Sequence, residues 1–80
     1  METEIKNAQK AVGHLLDDCL HNFSVDQLEV VKKRHEFLLE QEMFWVKMGN
    51  RERFLYDLRD YGMWLCDYIA DVERDFWGEG

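Results

Sequence analysis

The chain has 80 residues, 46% of them hydrophobic and 34% charged, with 17 acidic side chains against 10 basic and a formal net charge of −7. That is room for a single domain over residues 1–80, and the balance fits neither an acidic disordered tail nor a membrane span. It also argues against direct contact with a nucleic-acid backbone, which takes clustered Lys and Arg, and it permits a basic protein partner.

The opening residues METEIKNAQK are polar and lack the apolar stretch of a signal peptide. No run approaches the roughly 18 to 20 apolar residues of a membrane helix. Cys19 and Cys66 form no CxxC and have no zinc-ligand spacing. A cytoplasmic protein with two reduced, packed thiols is expected, with a Cys19–Cys66 bridge as the minor alternative.

The pattern contains neither strand alternation nor an internal repeat. It predicts an all-α protein of three helices: a short N-terminal helix over about 3–21 and a long antiparallel hairpin made by helices over about 25–48 and 51–77. In the first, Ile5, Ala8, Val12, Leu15, Leu16 and Cys19 share one face. Thr3 is a candidate cap. The second opens on Ser24-x-x-Gln27, a capping box, with Phe23 and Leu28 placed as a hydrophobic staple. Gly49 is expected in the left-handed position that closes it, and Asn50 as the next N-cap. The third helix has Phe54, Leu58, Tyr61, Leu65, Tyr68, Ile69, Val72 and Phe76 on its main face, with Gly78 as a candidate terminator.

The second helix carries more apolar surface than one neighbour covers. Val31, Leu38 and Trp45 make one row, Val30, Phe37, Phe44 and Met48 a second, and Val25, Leu28, Leu39, Met43 and Val46 a third. A surface helix ordinarily has one stripe. A core this small supplies only about 3 to 5 kcal/mol. The surplus therefore points to a homodimer, with Val30, Phe37, Phe44 and Met48 as the candidate interface. Arg34 with Gln41 and His35 with Glu42 sit at the edges of these rows, where long side chains lay their stems over apolar neighbours.

Three constellations bear on chemistry. His14, Asp17, Asp18 and His21 share a helix side at spacings that a divalent ion accepts. That side looks solvated, however, so an ordinary polar helix face is the preferred reading and neither metal nor other cofactor is expected. Nucleophilic catalysis has little support, because the only serine is the Ser24 cap and the five glycines are dispersed. No enzyme activity is expected.

On the third helix, Arg53, Asp57, Asp60, Trp64, Asp67, Asp71 and Arg74 recur at steps of three and four. Asp is a mediocre helix former, and Asp67 repels Asp71 at i,i+4. Local stability does not explain the row. An aromatic amid carboxylates resembles an interface anchor with a charged rim. Tyr56, Asp57, Asp60, Trp64, Asp67 and Asp71 are the candidate partner-binding residues. The expected function is that of a small acidic module which docks on a larger basic partner and blocks or recruits it. Spaced carboxylates on a rod extend this to nucleic-acid mimicry. The alternative is an assembly subunit whose surplus apolar surface completes a larger helical bundle.

Overall fold

The computed structural model describes the backbone of residues 2–78 and the side chains of residues 2–75. Three helices, α1 (Glu2–Asn22), α2 (Val25–Lys47) and α3 (Arg51–Gly78), account for nearly all of it, with no strand among the described residues.

The boundaries follow local chemistry. At the start of α2 the Ser24 N–H donates to Gln27 Oε1 at 2.9 Å, and the Gln27 N–H donates to Ser24 Oγ at 3.3 Å, which completes the capping box. Phe23 and Leu28 both pack against the core beside it. At the other end, Gly49 takes φ +70, and the amides of Gly49 and Asn50 return to the carbonyls of Val46 and Trp45. That is a Schellman closure, and only glycine adopts its left-handed residue without strain. Asn50 Oδ1 then accepts the Arg53 N–H at 3.1 Å and caps α3. Two expectations at the termini are corrected. α1 begins at Glu2, so Thr3 lies inside the helix, and α3 includes Gly78. Phe76 and Trp77, expected on the far end of α3, lie outside the described side chains.

α3 packs against both other helices, whereas α1 and α2 barely touch each other. Phe54, Leu58, Tyr61 and Leu65 of α3 meet Val12 and Cys19 of α1 and Val31 and Leu38 of α2 in one buried cluster. α1 runs parallel to α3. Glu2 pairs with Arg51 and Glu4 with Arg59 at one end, Val12 lies over Gly62 in the middle with room for no more than a methyl between them, and Phe23 meets the Tyr68 ring edge-on at the other end. α1 is 21 residues long against 23 for α2, so it is not the short element expected.

The molecule measures 49 × 21 × 16 Å. With a helix about 10 Å across, so thin a rod leaves each helix an outward face without a covering layer. Most of the surplus of α2 is accordingly exposed: Val25, Val30, Phe37, Leu39, Met43, Phe44, Val46 and Met48.

Candidate functional site

The seam between α2 and α3 joins surfaces that the sequence presents separately. Across that seam the Trp45 indole Nε1–H donates to Asp57 Oδ2 at 2.7 Å. The Arg53 guanidinium lies 5.6 Å from the centre of the same indole, and Phe44 packs edge-on to it at 4.7 Å. Farther along, the Arg34 guanidinium covers Trp64 at 5.1 Å, and Trp64 stacks on Tyr68 at 5.3 Å. Between these two clusters, Arg34, Phe37, Gln41, Asp57, Asp60 and Tyr61 line a cleft of about 110 Å³.

The candidate partner-binding residues therefore divide into two sets. Asp57 and Trp64 are half-buried in the seam, tied to Trp45 and Arg34. Tyr56, Asp60, Asp67 and Asp71 are exposed. Asp71 pairs with Arg74 at 3.2 Å, and Asp60 and Asp67 have no ion pair among the described residues. Phe37, from the apolar row Val30, Phe37, Phe44 and Met48, is 56% exposed and shares its cleft with Asp60. Phe37 of the α2 apolar row and Asp60 of the α3 acidic row are thus neighbours at the seam, whereas Asp67 lines an opening between α1 and α3 with Leu15 and Met63.

Behind this face lies the buried cluster around Tyr61. Burial pushes Tyr61 up to about 12, with the nearby Cys19 thiol adding to the rise and Arg34 opposing it. Among the described residues its hydroxyl has no hydrogen-bond partner, and neither does His35 Nδ1, whose ring meets the Tyr61 ring edge-on at 5.8 Å. Burial also raises the Cys19 thiol, and the neighbouring Asp18 carboxylate adds to the effect. A thiol so placed is a weak nucleophile. Cys19 and the exposed Cys66 are both free.

His14, Asp17, Asp18 and His21 are all exposed. Among the described residues, no group of three or more His, Cys, Asp or Glu side chains is placed to hold a metal ion. No described helix is long and apolar enough to cross a membrane.

The pairing of Trp45 with Asp57 escaped the sequence reading, which ranked Asp57 with its helix neighbours. The Met48–Asn50 link places Trp45 against the start of α3, beside Arg53, but does not select Asp57 one turn farther along. Also missed was an opening between α1 and α2, lined by Val12, Leu16, His35, Leu38, Leu39, Phe54 and Leu58 among others.

No family model, curated protein or solved structure matches the chain.

Proposed function

We propose that the protein is a non-catalytic binding module that docks on a larger, basic protein and blocks or recruits it by occupying its surface. The observation that carries this reading is the shared cleft of Phe37 and Asp60. An exposed aromatic beside an unpaired carboxylate matches a partner site with an apolar pocket edged by Lys or Arg. Asp60, Asp67 and Asp71 would steer encounter, and the overall charge of −7 adds a long-range pull. A nucleic-acid-binding groove is one basic surface of this kind. The free thiols suit a reducing cytoplasm.

The test is capture of partners from lysate at low and high salt. Changing Asp60, Asp67 and Asp71 to Asn is expected to weaken capture and flatten its salt dependence, whereas Asp57→Asn leaves the salt dependence unchanged. Capture indifferent to the triple change would sink the reading.

A second reading, that of an assembly subunit, is favoured by the other flank of α2, where Leu39, Met43 and Val46 are exposed away from the acids. Within it we place self-association as a homodimer, because a core this small gains from a second copy.

A further inference from the structure

The α2–α3 cleft that holds Phe37 and Asp60 changes in charge along its length. Arg34 borders one end, with its guanidinium over Trp64. Gln41 and Asp57 border the other, and Asp60 follows Asp57 by one turn. Gln41 lies two helical turns nearer the Gly49 turn than Arg34, a rise of about 10 Å along α2. Phe37 and Leu38 supply an apolar wall between these ends.

The acceptors near the Gly49 turn are free. Asp57 gives Oδ2 to the Trp45 indole, and its Oδ1 has no partner among the described residues. Neither the Asp60 carboxylate nor the Gln41 amide has a side-chain partner among them. Asp71, by contrast, is paired with Arg74, and Asp67 borders the α1–α3 opening instead. Tyr61 also lines the cleft and is only 3% exposed. Its hydroxyl lacks a hydrogen-bond partner among the described residues and is near enough to Arg34 to feel that charge. A buried polar group without a partner costs stability, so a ligand atom that satisfies it is favoured.

The lining selects its occupant. Two carboxylates against one guanidinium leave a net negative charge, and the Phe37 and Tyr61 rings add to the preference for a cation. At about 110 Å³ the cleft is smaller than the roughly 150 Å³ that takes a benzene ring, so a linear chain fits better than an aromatic one. A guanidinium pairs best with both oxygens of one carboxylate. Here the acceptors come from Asp57, Asp60 and Gln41, spread over two helices. An ammonium has three donors that turn freely and suits such scattered acceptors. The two larger openings, between α1 and α2 and between α1 and α3, are lined mainly by apolar side chains and select no occupant by charge.

We infer that this cleft receives one lysine side chain of the docking partner, with its stem along Phe37 and Leu38, its ammonium among Asp57, Asp60 and Gln41, and its main chain toward Arg34. This inference rests on the docking reading above. It gives Asp60 a direct contact, whereas Asp67 and Asp71 only steer.

NMR titration of the isotope-labelled full chain at fixed ionic strength tests this, with blocked Ala-Lys-Ala, Ala-Arg-Ala and Ala-norleucine-Ala peptides as probes. The lysine peptide is expected to give saturable shifts at the Trp45 indole N–H, which is bonded to Asp57, and at the Gln41 side-chain amide. The norleucine peptide, with the same stem and no charge, should give neither. Asp60→Asn should weaken lysine-peptide binding about tenfold, the loss of one charged hydrogen bond, and Asp67→Asn, which removes the same charge outside the cleft, less than about twofold. Both residues are exposed, so helix content by circular dichroism should be unaltered. Equal losses at Asp60 and Asp67, an arginine peptide that binds as tightly as the lysine peptide, or no saturable shift at Trp45 and Gln41 overturns the lysine seat. Each of these leaves the docking reading standing where lysate capture still responds to the triple Asp change, and that reading falls only where capture does not respond.

Discussion

Trp45 and Asp57 are joined across the α2–α3 seam by a 2.7 Å hydrogen bond from indole to carboxylate. Asp57 is thereby committed to holding the two helices in register, while Asp60, one turn farther on, remains exposed. A hydrogen bond to a charged group contributes about 1.5–3 kcal/mol, and partial exposure trims that value. Asp57→Ala is expected to cost about 1–2 kcal/mol in urea unfolding, and Asp60→Asn less than about 0.5 kcal/mol. A double-mutant cycle with Trp45→Phe should return a coupling near 1 kcal/mol. Equal, negligible costs at Asp57 and Asp60 would show that the bond does not form in solution.

Burial separates two apolar truncations in the same way. Leu65 is 0% exposed, so Leu65→Ala should cost about 2–5 kcal/mol, leaving a cavity that the helices cannot close. Phe37 keeps much of its ring in water, and Phe37→Ala should cost less than about 1 kcal/mol in the isolated chain. Its effect should appear in partner capture instead. A large folding cost at Phe37 would place that ring inside the core and remove it from the docking face.

Alkaline pH provides a third check. Tyr61 is held protonated up to about 12 in the folded chain, above its ordinary value of 10.0. The unfolded chain releases this proton first as pH rises. The contribution of Tyr61 should therefore be complete below about pH 10 and decline between about pH 10 and 12, added to a loss from the raised Cys19 thiol that begins lower. Tyr61→Phe should remove the Tyr61 share of that decline and leave the Cys19 share. Because the hydroxyl has no partner among the described residues, the substitution should also leave neutral-pH stability equal or up to about 1 kcal/mol higher. Urea midpoints across this range decide the matter, and a midpoint that falls equally in both proteins contradicts the assignment.

The two turns are predicted to contribute locally. Ser24→Ala removes half of the capping box and should cost about 1 kcal/mol. Gly49→Ala meets no steric neighbour, yet forces an L residue to φ +70 and should cost about 1 kcal/mol by backbone strain alone. Thermal melts of the two variants measure these losses, and an unchanged melt for Gly49→Ala would mean that the turn relaxes to another conformation.

Much of the helical layout was legible in the residues, because its causes are local. Ser24-x-x-Gln27, Gly49 and Asn50 each act within a few residues, and their hydrogen bonds form where the spacing places them. The buried faces, from Val12 to Leu65, were likewise readable from periods of three and four. The candidate site was only half legible. Its residue types were visible, but the division of the Asp row was not. Whether Asp57 holds a helix or meets a partner depends on an indole twelve positions earlier, and α3 periodicity carries no record of it.

Sequence by itself determined three helices, the caps at Ser24, Gly49 and Asn50, a net acidic charge and an excess of apolar side chains on α2. Tertiary structure alone decided that α3 lies between its neighbours, that Trp64 sits beneath Arg34, and that Phe37 and Asp60 share a cleft. The reason is the range of the forces. Caps and helical periods are settled within a turn or two of chain, whereas the facing of one helix toward another depends on how all three apolar faces are covered at once, a condition that no single segment contains.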